Sequence, residues 1–139
     1  MLKRFFFAVI AGSITMLLVG FLLYGFLFAG LFREGALIIP GVMKQQPELL
    51  WILAGQIGFA VLVTLIVYWR GATSFARGAS TGAIVGFLMA VGYDFAQYGT
   101  SNLWTLTATL LDPVITALLV GSAGGVIGHV LGRTSAEPA

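Results

Sequence analysis

From Phe5 to Phe32 the chain runs for twenty-eight residues with no ionisable side chain except Tyr24. A helix crosses a bilayer in ~20 apolar residues, so this stretch alone demands a hydrocarbon solvent. Leu49 to Trp69 and Gly78 to about Tyr98 each match one crossing, and a fourth apolar run lies between Leu103 and Gly132. Only 9% of residues are charged and the mean hydropathy is +1.02, which leaves too little charge to coat a water-soluble surface. The fold class that follows is all-α: a polytopic membrane protein with a four-transmembrane-helix bundle as its single domain, residues 1–139. Spans are expected at about 5–32, 49–69, 78–98 and 113–132, with an outer connector at 33–47 and an outer segment at 99–111.

The first run is too long for one straight crossing and too short for two, which predicts tilt or a projection beyond the bilayer. Lys3-Arg4 ahead of an apolar stretch has the form of a signal peptide. The run is about twice the ~7 to 15 residues of such a core, so it reads as an uncleaved span. In the last run, Asp112-Pro113 is a helix-start signal, because Asp caps free N–H groups and proline suits the first helical position. That reading makes 103–111, with Thr105, Thr107 and Thr109 alternating with apolar residues, a separate segment. One kinked helix through the proline is the rival reading, and the sequence leaves the two open.

Lys3, Arg4, Arg70, Arg77 and Arg133 fall on one side of this scheme, and Arg33 and Lys44 on the other. Positive charge favours the cytoplasmic side, so both termini are expected there. Trp51, Trp69 and Trp104 sit at span ends, where amphipathic rings meet the headgroups. In the outer connector, Leu37-Ile38-Ile39-Pro40 is too apolar for a solvated loop and predicts an interfacial segment or a lid over the bundle mouth.

Helices in lipid associate through close backbone contact, which small residues at four-residue spacing permit. Gly78, Gly82, Gly86 and Ala90 form such a track and lead to Asp94. Gly121 with Gly125, and Gly124 with Gly128 and Gly132, repeat it in the last span. Packing within the chain is one use of these glycines; contact between copies of the chain is the other. Residues 11–22 match residues 77–88 at six of twelve positions. At that offset Gly55 falls on Gly121 and Gly58 on Gly124, a pattern of two similar hairpins.

A carboxylate at the centre of a span costs about 2.5 to 3.5 kcal/mol, so Asp94 and Asp112 call for explanation. Counted from the outer ends, Asp94, Asp112, Tyr24 and Gln56 all fall in one half of the membrane, with Tyr93 beside them. The functional reading is a polar cavity in which Asp94 takes a proton, a cation or a ligand amine, with Tyr24 and Gln56 completing its hydrogen bonds. The plainer reading gives Asp112 to the helix cap and Asp94 to hydrogen bonds with the 105–109 threonines or water. In the other half, Ser13, Thr15, Thr64, Ser80, Thr81 and Ser122 are hydroxyls suited to bonding their own helix backbones.

There are no cysteines, and one histidine, His129, makes no metal or haem site within a chain. No serine, histidine and acid share a membrane level, so no catalytic residues, cofactor or metal are assigned and a non-enzymatic role is expected. Seven scattered basic residues form no phosphate-tracking stripe, so no nucleic-acid partner is expected.

The Tyr24-Gly25-Phe26-Leu27-Phe28 end of the first span, the Gly78, Gly82, Gly86 track, Asp112 and the glycine-rich last span together resemble a family of small four-span bacterial inner-membrane proteins classed as a domain of unknown function. Members often carry a Trp-Tyr-x-Pro-Leu-Phe-type motif at the end of the first span; here Leu23 and Phe26 stand at the Trp and Pro positions. The resemblance implies a multi-pass fold in the bacterial inner (plasma) membrane and no particular activity. The leading expectation is a protein acting by binding or assembly, as a homo-oligomer or a small accessory subunit of a larger membrane complex. The alternatives are a proton- or cation-coupled transporter or channel centred on Asp94, and a carrier of a quinone, carotenoid or lipid.

Overall fold

The computed structural model describes residues 2–35, 44 and 46–133. Among them the regular structure is helical: α1 (Leu2–Gly20), a π-helical continuation (Phe21–Leu27), α2 (Ala29–Gly35), α3 (Leu49–Trp69), α4 (Phe75–Thr100) and α5 (Leu106–Arg133). Four of these segments, Leu2–Leu27, Leu49–Trp69, Phe75–Thr100 and Leu106–Arg133, are long and apolar enough to cross a membrane. The chain is a multi-pass membrane protein built as a four-helix bundle.

Two boundaries differ from the sequence expectation. The first run is not one tilted rod: it widens into π turns at Phe21 and ends at Phe28, where the backbone leaves helical geometry (φ −110°, ψ 13°) and the Phe28 N–H bonds the Leu23 carbonyl. Its surplus length becomes the short helix α2. The last run is one helix from Leu106, so neither the separate 99–111 segment nor a span starting at Pro113 is formed. Thr105 supplies the cap in place of Asp112, its Oγ1 accepting the Ala108 N–H at 3.3 Å. Pro113 therefore lies inside α5, where it denies the Thr109 carbonyl its usual helical donor. Lipid-embedded helices tolerate this because neighbouring groups re-satisfy the freed backbone. Residues 37–40, expected as an interfacial or lid segment, lie outside the described residues.

The α3–α4 turn ends α3 with a left-handed glycine, Gly71 (φ +63°). The Ala72 N–H returns to the Val67 carbonyl and the Gly71 N–H to that of Tyr68, satisfying the orphan acceptors at the helix end. Ser74 then caps α4, accepting the Arg77 N–H.

α5 is the hub. Half of its most apolar stretch is buried, against 22–28% in the other three spans. Met16, Val63, Val67, Val120 and Ile127, all fully or nearly fully buried, form the centre where α1, α3 and α5 meet. Two antiparallel registers fix α5 against its neighbours. A Cβ added to Gly78 would stand 2.1 Å from the Gly124 carbonyl oxygen, one on Gly82 2.3 Å from that of Val120, and one on Gly86 2.9 Å from that of Thr116. These pairs sum to 202, and the neighbouring contacts of Gly78 with Gly128, Gly82 with Gly124 and Gly86 with Val120 sum to 206, so the glycine tracks of α4 and α5 bring the two backbones into contact. On the other side of α5, Gly12 receives Ile127, and Gly20 faces Leu119. Those pairs sum to 139.

The glycines of α3 behave differently. Gly55 and Gly58 have nothing within 4 Å of an added Cβ, whereas Gly121 and Gly124, their counterparts in the offset repeat, are tightly packed. The two halves share a sequence pattern but not a packing scheme. Ser13, Thr15, Ser80, Thr81 and Ser122 each donate to a carbonyl three or four residues back. Thr64 is the exception, buried with no hydrogen-bond partner for its Oγ1.

Candidate functional site

Both registers, extended toward the end of the bundle away from the termini, converge on Asp112. Two further four-residue steps along α4 from Gly86 reach Asp94, which the first register sets opposite residues 108–112. The second register sets Tyr24 opposite 115, between Asp112 and Thr116. The polar residues meet because backbone packing elsewhere leaves them no other place.

Asp94, Asp112, Tyr24 and Tyr93 line one cavity of ≈ 380 Å³, together with Phe32, Trp104, Ala108 and Thr109. The Tyr24 hydroxyl donates to Asp112 Oδ1 at 2.8 Å and lies 2.8 Å from Thr116 Oγ1, which in turn lies 3.3 Å from Asp112 Oδ2. These contacts close a ring with three links and two hydroxyl protons. Tyr24 donates to Oδ1 and Thr116 to Oδ2, so both oxygens of Asp112 accept a hydrogen bond.

Asp94 is in the opposite condition. Its Oδ2 is buried and has no hydrogen-bond partner, while its carboxyl group interacts with that of Asp112 through a side-chain hydrogen bond and by charge. Among the described residues, no Lys or Arg lines the cavity. An unpaired acceptor in a low-dielectric setting costs on the order of 1 to 3 kcal/mol, so a proton or a cation is the expected companion of this oxygen.

The remaining wall is aromatic. Phe32, delivered by α2, packs against Tyr24 with ring centroids 5.0 Å apart and meets Trp104 edge-on at 6.2 Å and 85°. Tyr93, on α4, is largely exposed at the rim. Aromatic faces carry negative potential and attract cations within ~6 Å of the ring centroid. Two carboxyl groups and four aromatic rings thus bound one small space.

Several expectations need correction. Gln56 does not join Asp94; it lines a separate groove with Met16, Phe59 and Leu119 between α1, α3 and α5. Its depth matches that of the acids, but its direction around the helix does not. Tyr24 completes the hydrogen bonds of Asp112, not those of Asp94. Thr109 reaches the cavity wall, yet its hydroxyl donates to the Thr105 carbonyl, so the threonine stretch does not satisfy Asp94 either. Gly78, Gly82, Gly86, Gly121, Gly124, Gly125 and Gly128 all sit at α4–α5 contacts or against the turn before α4, Gly125 against the Phe75 ring. Their number is accounted for inside one chain. Thr116, Phe32 and Trp104 belong to the site and were not among the sequence candidates for it. Only Trp104 had a signal, its position at a span end.

Among the described residues no group of three His, Asp or Glu side chains could hold a metal ion. The fold and its cavity define a class: a polytopic helical membrane protein with a carboxyl- and aromatic-lined site near one end of the bundle. No family model, curated protein or solved structure matches the chain, so the likeness to small four-span bacterial proteins rests on its motifs alone.

Proposed function

We propose that this protein is a non-enzymatic membrane receptor or carrier that binds one small organic ammonium ion in the Asp94–Asp112 cavity. The observation that supports the reading is the unpartnered, buried Oδ2 of Asp94 in a space walled by Tyr24, Phe32, Tyr93 and Trp104. The unpaired Asp94 oxygen supplies the negative charge that a single cation needs. The aromatic wall favours a weakly hydrated alkylammonium over sodium, whose desolvation costs more than ring faces return. In the empty site a proton on Asp94 takes the place of the cation. With both termini cytoplasmic in the bacterial inner membrane, the cavity opens on the outer side.

Calorimetric titration of the detergent-purified protein with tetramethylammonium tests this. Saturable binding at one ion per chain, weaker binding of sodium and loss of binding in Asp94→Asn are expected. Equal binding by the wild type and Asp94→Asn would refute it.

A second reading, self-association or docking beside a larger membrane complex, is favoured by α3. Gly55 and Gly58 are open, and Trp51, Ile52 and Ile57 beside them are exposed. A backbone groove flanked by bulky apolar residues is the form that close helix pairing uses. Crosslinking of single cysteines introduced at Gly55 and Gly58 would report such pairing, against a cysteine-free background.

A further inference from the structure

The opposite end of the bundle carries charge of one sign. Lys3, Arg4, Arg70, Arg77 and Arg133 all lie there, while Glu34, Glu48, Asp94 and Asp112 lie at the other end; the fifth acid, Glu137, is outside the described residues. The one ion pair among the described residues, Lys44 with Glu48, is also at the far end. Within the described residues, the termini-bearing end therefore has five cations and no carboxylate to balance them. Arg70 is partly satisfied, donating to Thr81 Oγ1 at 3.0 Å.

At that end a groove of ≈ 410 Å³ runs between α1 and α5, lined by Phe7, Ile10, Ala11, Ile14, Val130 and Arg133. Phe7, Ile10 and Ile14 recur at helical spacing, so they form one strip of α1. Lys3 and Arg4, four and three residues before Phe7, continue that strip to the helix end. Arg133 closes the groove from the α5 side. Phe7 and Ile14 are more than half exposed, so α1 and α5 leave the groove open to whatever surrounds the bundle.

We propose that this groove is a binding site for one anionic phospholipid: an acyl chain lies along Phe7, Ile10, Ala11 and Ile14, and the phosphate sits between Arg133 and the Lys3-Arg4 pair. Charge complementarity selects the occupant. A chain-shaped apolar channel that ends in cations at the membrane surface suits a molecule that is apolar along its length and anionic at its head. Arginine adds a planar fork that pairs with phosphate through two hydrogen bonds, which a zwitterionic headgroup with its own choline cation opposes. The site is separate from the Asp94 cavity and does not depend on how that cavity is read.

Native mass spectrometry of the detergent-purified full chain, titrated with phosphatidylglycerol or with phosphatidylcholine of identical acyl chains, provides the test. Phosphatidylglycerol should bind at one per chain and at least about fivefold more tightly, the factor that one basic residue contributes near a membrane surface. Arg133→Gln and Lys3→Gln should each weaken phosphatidylglycerol about fivefold and leave phosphatidylcholine unchanged. Ala11→Phe, which fills the groove on its exposed side, should weaken both lipids. Equal affinity for the two lipids, or Arg133→Gln indistinguishable from wild type, would overturn the proposal. So would displacement of phosphatidylglycerol by millimolar inorganic phosphate, since that marks an ion site without a chain groove.

Discussion

Tyr24 donates its phenolic hydrogen to Asp112 across eighty-eight residues of sequence, joining the end of the first span to the last. This bond depends on the α1–α5 register set by Gly12 against Ile127 and Gly20 against Leu119, more than three helical turns away at its far end. Polar chemistry at one end of the bundle is therefore held by backbone packing along its length.

Tyr24→Phe removes one link of the Tyr24–Asp112–Thr116 ring while keeping the ring's shape. An interhelical hydrogen bond inside a membrane protein contributes about 0.6 kcal/mol on average and at most about 1.7. A loss of ~1 kcal/mol in the free energy of unfolding by mixed detergent is expected. Cation binding should also fall, because Thr116 alone no longer satisfies both oxygens of Asp112. Unchanged stability and binding would show that the ring does not hold the site.

The glycines of α4 and α3 should respond oppositely to the same change. In Gly82→Ala the new Cβ meets the Val120 carbonyl oxygen, a backbone atom that cannot swing aside, and a loss of about 1 to 3 kcal/mol is expected for overpacking. Gly55→Ala meets nothing within 4 Å and should gain about 0.5 to 1 kcal/mol from reduced backbone freedom, as far as Gly55 faces lipid in a lone chain. Parallel unfolding curves read the sign directly.

Trp104 and Gln56 line two different openings of the bundle. Trp104→Leu removes one aromatic face from the cavity and should weaken tetramethylammonium by about 0.5 to 2 kcal/mol. Gln56→Ala acts on the other groove and should leave that affinity unchanged. A reversed pattern would move the ligand to the groove beside α3.

Much of this site could be read from the sequence, and the unread part has a common cause. The glycine track that leads to Asp94 is a local pattern, and the same face carries both the packing and the acid. Asp112-Pro113 is a local pattern too, but it misleads: Thr105 starts the helix about two turns earlier, and the Asp112 side chain bonds to Tyr24 and Thr116. Gln56 shows the limit of depth counting, which gives height in the membrane and not direction around the helix. Thr116 had no sequence signal, because a threonine in an apolar helix ordinarily bonds its own backbone, as Thr15 and Thr81 do. Phe32 is one of eleven phenylalanines, and only the break at Phe28 turns it toward Trp104.

The central claim is that a cation and a proton compete for Asp94. Proton release in weak buffer, recorded as tetramethylammonium is added to the purified protein, measures that competition directly. At mildly acidic pH, where Asp94 holds its proton, about one proton should be released for each cation bound by the wild type, with neither binding nor release in Asp94→Asn. Cation binding without proton release, or full binding in the variant, would contradict the claim.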